Sequence, residues 1–191
     1  MTLPQDMGRQ NGGTLPKISD VTVIRQRARE NLEDGAVTSS YPEDKDAIVA
    51  LLNVALATEL VCVLRYRRHH YVSRGIRAKT VATEFLEHSQ QEQVHADQLA
   101  ERIVQLGADP DFNPAHLAAR SHAEYHEGTK LGDMVRADLI AERVAIDSYR
   151  EMIAYVGDRD STTRRLLESI LAMEEQHADD LVDMLRDLPK D

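Results

Sequence analysis

One arrangement of acidic and imidazole side chains occurs twice in this chain: a lone glutamate, then about one helix hairpin later a Glu-x-x-His. The first copy is Glu59 followed by Glu92-Gln-Val-His95, and the second is Glu142 followed by Glu174-Glu-Gln-His177. The separations from lone Glu to motif Glu are 33 and 32 residues, and a tyrosine, Tyr66 or Tyr149, stands seven residues after each lone Glu. On a helix, positions i and i+3 lie about 60° apart around the axis and about one turn apart along it, so both side chains face the same way. A Glu-x-x-His can therefore offer one cation an imidazole nitrogen while its carboxylate reaches a second cation. The lone glutamates, one on each remaining helix, close the outer sides. Four carboxylates and two imidazoles in this order are what a dinuclear metal site inside a four-helix bundle requires. Such a donor set suits iron or manganese, admits zinc, and needs no thiolate.

A single Glu-x-x-His on a helix is ordinarily a solvated pair, so the surroundings of the lone glutamates matter. Residues 48–64 read IVALLNVALATELVCVL, an apolar run interrupted only by Asn53, Thr58 and Glu59. A carboxylate buried there without a partner is costly. The run is short for a membrane span and carries a charge within it, so it reads as a buried bundle helix, with no membrane association expected. Glu142 lies in LIAERVAI between apolar neighbours, with Arg143 beside it as an alternative ion-pair partner.

The remaining pattern is helical. Aromatic residues make up only 4% and Trp is absent, which suits close helix packing better than a β-sandwich. Residues 1–18, with Gly8, Gly12, Gly13, Pro4 and Pro16, read as a tail. Ser19 is placed to cap a short amphipathic helix that uses Val21, Ile24, Ala28 and Leu32 and ends near Gly35. Long helices are expected over residues 44–72, 78–106, 131–156 and from Asp160-Ser161 to about Leu188-Pro189. Ser73-Arg74-Gly75 makes a short turn, which implies an antiparallel neighbour. Residues 108–130, with Pro110, Pro114 and Gly128, form a long crossover with a short helix near 116–122. The expected fold is thus all-α, two antiparallel hairpins joined by a long crossover, with an N-terminal extension over 1–43 and the bundle over 44–188.

Charge and cysteine content bound the function. A net charge of −10 disfavours DNA binding by bulk electrostatics and favours cations. Cys62 is the only cysteine, so no intramolecular disulfide can form. With no charged-then-apolar signal pattern at the N-terminus, a cytoplasmic setting is expected.

With the motifs in view, the chain resembles the ferritin-like superfamily, most closely its bacterioferritin branch. LNVALATELVCVLRY is similar to that family's first helix, and QEQVHADQL and MEEQHADDL to its second and fourth. The resemblance implies a di-iron ferroxidase centre: Glu59 and Glu142 as terminal ligands, Glu92 and Glu174 bridging, and His95 and His177 each on one iron. It also implies that Tyr66 hydrogen-bonds near the site or donates an electron; a packed core tyrosine is the alternative. Asp138, one turn before Glu142, is a candidate for orienting a ligand histidine, or a surface carboxylate. Bacterioferritins bind haem through a methionine directly after the first motif glutamate; that position is Gln93, so no haem is expected. Only 14 residues follow His177, so no C-terminal fifth helix of the kind that shapes 24-subunit cages is expected. These departures, with the N-terminal extension and longer crossover, resemble the Dps-like mini-ferritins and imply a 12-subunit shell. That group carries a pair of nearby cysteines, whereas this chain has only Cys62.

The function so implied is iron oxidation by peroxide or dioxygen, with storage of the product in a hollow shell. The alternatives are a manganese catalase or other di-metal oxidase, and a DNA-protecting structural protein. His88, on the same face as Glu92 and His95, reads as a solvated histidine, with a transient iron site on the inner surface as the other reading. His116, His122 and His126, with Glu124 and Glu127, read as a polar loop, with metal guidance at a subunit junction as the other reading. Arg65, Arg67, Arg68, His69 and His70 read as a basic patch, solvated or paired with neighbouring subunits.

Overall fold

The computed structural model describes residues 19–41, 44–75 and 78–188. The readings placed on residues 1–18, Pro42 and Pro189 lie outside them. Every regular element among the described residues is helical: α1 (Val21–Arg27), α2 (Lys45–Val72), α3 (Lys79–Gln105), α4 (Leu117–Arg120), α5 (Leu131–Val156) and α6 (Ser161–Asp187), with a 3-10 turn at Leu32–Asp34. The four long helices begin and end within a residue or two of the positions that the sequence marks. The N-terminal segment differs. Asp20, not Ser19, caps α1, accepting from the Thr22 amide at 2.7 Å. The helix stops at Arg27, and Asn31 adopts a left-handed φ of 48° ahead of the 3-10 turn. No residue of α1 is buried, so no packed face carries the helix on to Gly35.

α2 packs along α3 and α5 along α6; the two hairpins then meet through α2–α5 and α3–α6, with α4 of the crossover against α2. The four-helix interior holds two apolar clusters. One, at the α3–crossover end, is built from Ile48, Leu52, Leu56, Leu99, Ile103, Met152, Leu167 and Ile170. The other is built from Cys62, Tyr66, Val81, Phe85, Val135 and Leu181. Between them every helix places acidic or imidazole side chains inward. α2 is long and apolar enough to cross a membrane by length and composition, yet Glu59, Arg65 and His69 are among its buried residues, as expected for a core helix.

The polar interruptions of α2 have local partners. Asn53 Oδ1 accepts from the Asp111 amide (2.8 Å) and Thr58 Oγ1 from the His122 amide (3.0 Å), so both fasten the crossover to the bundle. Gly128 closes the crossover with φ 65°, and a Cβ there would collide with Met134 Cγ and stand 3.3 Å from His69 Nε2. Only glycine meets both conditions without strain.

At the end where α3 meets the crossover, Asp160 organises the turn between α5 and α6. Its carboxylate caps α6 through the amides of Thr162 (3.1 Å) and Thr163 (2.9 Å), pairs with Arg102 of α3 at 2.8 Å, and accepts from Tyr41 at 2.5 Å. Burial alone raises its pKa, but the Thr163, Tyr41 and Arg102 hydrogen bonds prevail and hold it at about 2. A depressed carboxyl stabilises the fold above its unfolded value of about 3.8, and this contribution fades as pH falls toward about 2. Asp160→Ala removes a cap and leaves Arg102 buried without its carboxylate. We expect a loss of about 3 kcal/mol at neutral pH. The difference between variant and parent in thermal melts should shrink between pH 4 and pH 2; a gap unchanged over that range would show that the Asp160 charge is not what stabilises the turn.

Candidate metal centre

Each long helix supplies part of the centre at the level where the two apolar clusters part. Glu59 comes from α2, Glu92 and His95 from α3, Glu142 from α5, and Glu174 and His177 from α6. None of the six is more than 6% exposed. One ligand-capable atom from each of Glu59, Glu92, His95 and Glu174 lies within 4.8 Å of the others, and the same holds for Glu92, Glu142, Glu174 and His177. Glu92 and Glu174 belong to both sets. The bundle therefore offers two adjoining four-residue positions that share two carboxylates.

The distances show how closely the groups converge. His95 Nδ1 lies 2.9 Å from Glu174, 3.1 Å from Glu92 and 3.3 Å from Glu59. His177 Nδ1 lies 3.3 Å from Glu92, 3.6 Å from Glu174 and 3.9 Å from Glu142. Yet Glu92 Oε1, Glu142 Oε2, Glu174 Oε1 and His177 Nδ1 are buried without a hydrogen bond. Buried polar atoms ordinarily have partners. Converging acceptor atoms of this kind fit cations between them, and the donor set of carboxylate and imidazole is that of a di-iron or di-manganese bundle site.

The electrostatics carry the same strain. Burial, then the charges of Glu174 and Glu92, push the Glu59 carboxyl well above its ordinary value. Burial with Glu92 and Glu174 does the same to Glu142. Burial also raises Glu92 and Glu174, but the His177 and His95 imidazoles outweigh it and hold both below the ordinary value. For the imidazoles burial acts downward and the carboxylates prevail, pushing His95 up to about 12 and His177 up to about 9. Protons on the imidazoles thus offset carboxylate charge that divalent cations could offset in their place.

Partners outside the six fix their orientation. Tyr149 donates to Glu59 at 2.5 Å, and Tyr66 donates to Glu142. Each tyrosine holds the lone glutamate of the opposite hairpin, which is what the repeated spacing of seven accomplishes. Burial, then the adjacent carboxylates, push both hydroxyls well above the usual range, so they stay protonated and donate. His177 Nε2 donates to Gln91 Oε1 at 2.7 Å, which turns Nδ1 toward the carboxylates. Gln91 had no signal in the sequence beyond adjacency to Glu92.

Several expectations are corrected. Asp138 is fully buried, but it does not orient His95 or His177. It pairs with Arg65 Nε (2.7 Å) and His69 Nδ1 (2.8 Å). Arg65 and His69 are accordingly core residues rather than a surface patch, and they also bond the crossover carbonyls of Glu124 (3.0 Å) and His126 (3.0 Å). His88 is buried, not solvated, because its ring stacks on His177 with centroids 4.2 Å apart. Arg143 is exposed, and Tyr66 takes the place beside Glu142. His116, His122 and His126 are exposed in the crossover, His122 bonded to Ser148 and His126 to the Gly128 amide.

A helical bundle with paired Glu-x-x-His helices around a buried carboxylate–imidazole cluster defines a class, that of ferritin-like metal proteins. The comparisons agree: the ferritin-like domain matches residues 49–190, and the chain belongs to that family. It is 33% identical over 132 residues to the nutrient stress-induced DNA-binding protein of a Synechococcus strain, covering 66% of this chain and 74% of that one. It is 28% identical over 144 residues to the bacterioferritin of Mycobacterium avium, covering 75% and 86%. Among solved structures it is similar to a dodecameric thioferritin, the bacterioferritin-related protein of Bacteroides fragilis, with TM-score 0.72 and 31% identity over 75% of this chain and 87% of that one. Dps from Thermosynechococcus elongatus shares the fold, with TM-score 0.71 at 19% identity over 77% and 94%.

Proposed function

We propose that this chain is a ferroxidase subunit of an iron-storing shell, working in the cytoplasm. Two Fe(II) ions are its substrates. Glu59, Glu92, His95 and Glu174 hold one, and Glu92, Glu142, Glu174 and His177 hold the other. Two Fe(II) and one hydrogen peroxide, with two protons, give two Fe(III) and two water molecules; dioxygen is the alternative oxidant. Removing Fe(II) and peroxide together removes both sources of hydroxyl radical. The chain's own contribution is to bring four carboxylates and two imidazoles together in a dry pocket, with Tyr66 and Tyr149 holding the terminal glutamates. The pair of four-residue sets sharing Glu92 and Glu174 carries this reading.

In this reading residues 44–188 are the catalytic bundle and residues 1–43 an extension of it. The likeness to a dodecameric thioferritin supports a shell of twelve subunits.

A manganese catalase or another di-metal oxidase uses the same kind of ligands. The test is oxygen release and Fe(II) consumption measured together after peroxide addition. A ferroxidase consumes two Fe(II) per peroxide and stops when iron is spent. Steady oxygen release without iron consumption would replace this reading with the catalase one. DNA protection is suggested by the name of the Synechococcus relative, but the net charge of −10 and the burial of Arg65 and His69 argue against it here.

A further inference from the structure

The seam between α3 and α6 holds one more convergence of ligand groups, beyond the two positions described. Glu84 and His88 stand one turn apart on α3, and Asp180 faces them from α6. His88 Nε2 lies 4.0 Å from Glu84 Oε1 and 3.7 Å from Asp180 Oδ2. One ligand atom from each of the three falls within 4.8 Å of the others. These separations are too long for hydrogen bonds. They approach the spacing of about 3.4 Å expected between two ligands that each sit about 2.1 Å from a tetrahedral cation. His88 is only 2% exposed, and its Nε2 has no hydrogen-bond partner. A buried nitrogen in that state is costly unless something takes its lone pair or its proton. Asp180 uses Oδ1 to accept from Gln176 at 2.8 Å, which leaves Oδ2 turned to His88. The Glu84 and Asp180 side chains are 34% and 36% exposed, so the cluster has one face in solvent and its imidazole in the core.

We propose that Glu84, His88 and Asp180 form a third divalent-cation site, through which cations pass from solvent to the di-metal centre. The cation site stands on its own geometry; its loading role rests on the ferroxidase reading. Two contacts join it to the centre. The His88 ring stacks on His177 at 4.2 Å with an interplanar angle of 23°, so one ring thickness separates outer from inner ligands. His88 Nδ1 lies 3.3 Å from the Tyr66 hydroxyl, which donates to Glu142. A cation on Nε2 fixes the His88 proton on Nδ1. That N–H then donates to the Tyr66 oxygen, and the tyrosine keeps its own O–H donating to the Glu142 carboxylate. Burial and the charges of Glu87 and Asp180 push the Glu84 carboxyl upward, a repulsion that a bound cation relieves.

The experiment uses the assembled full-length protein with Zn(II) as probe, by calorimetric titration and by anomalous diffraction from zinc-soaked crystals. Three Zn(II) per subunit are expected, one of them between His88 and Asp180. Glu84→Gln with Asp180→Asn should remove only that one, since both side chains are partly exposed and lie outside the inner centre. An outer position left empty while both inner positions fill overturns the third site and leaves the proposed centre intact. Inner positions left empty while the outer fills overturn the centre and the loading role together. With Fe(II) below saturation, the double variant should oxidise iron roughly tenfold more slowly than the parent. Equal rates at every Fe(II) concentration overturn the loading role.

Discussion

Initial rates of Fe(II) oxidation are expected to fall at least about 100-fold in Glu59→Ala and in His95→Ala. Each of these residues belongs to only one of the two four-residue sets, so each substitution cripples one position and leaves the other nearly complete. Transfer of two electrons to peroxide needs both. The effect on folding runs the other way. Glu59 is a buried carboxyl whose pKa is raised by burial and by Glu174 and Glu92, so deleting it removes a repulsive group. Its loss strands the Tyr149 hydroxyl, at a cost of about 1–3 kcal/mol. The cation-free Glu59→Ala protein should therefore melt close to the parent. The rise in melting temperature that Zn(II) gives the parent should be much smaller in the variant, because a ligand stabilises only what it binds. Oxidation at the parental rate in either variant would remove these two residues from the site.

Carboxylates without a part in packing are what made the cluster legible in the sequence. A glutamate in the middle of an apolar helix has no structural use, so Glu59 stood out against residues 48–64. Its two polar neighbours in that run have ordinary uses: Asn53 and Thr58 accept hydrogen bonds from crossover amides. Helix ends were legible because Gly107, Gly157 and Asp160 act locally, through positive φ and side-chain capping. What stayed hidden depends on contacts across the bundle. Arg65 and His69 sit in a run of five basic or imidazole residues that looks like a solvated helix end, and only the arrival of Asp138 from α5 makes two of them core residues. His88 shares a face with Glu92 and His95, but its stacking on His177 comes from a helix some ninety residues away in the chain. Asp138 lies one turn before Glu142 and is buried, but that offset could not reveal that its partners are Arg65 and His69 and not a ligand histidine.

The buried triad of Arg65, Asp138 and His69 carries the largest expected effect on stability. Asp138→Ala leaves a fully buried guanidinium without its carboxylate, at a cost of about 3–5 kcal/mol. The melting temperature should fall by roughly 6–20 °C for a chain of this size. Arg65→Met combined with Asp138→Leu removes both charges and should regain more than half of the loss, since apolar replacements of a buried pair are often near neutral. If Asp138→Ala changes the melting temperature by less than about 2 °C, the triad is not what holds this end of the bundle. The same substitution probes how the centre is positioned. Through Arg65 and His69, Asp138 ties α5 to α2 and to the crossover carbonyls of Glu124 and His126. Glu142 is one turn further along α5. A slackened α5 should misplace Glu142 and slow Fe(II) oxidation about tenfold, even in protein that is fully folded at the assay temperature. Faster hydrogen exchange of the crossover amides should accompany the slowing, because those amides lie on the segment that the triad holds down. Full activity in a folded Asp138→Ala protein would mean that Tyr66 alone fixes Glu142, and that the triad serves the crossover and not the chemistry.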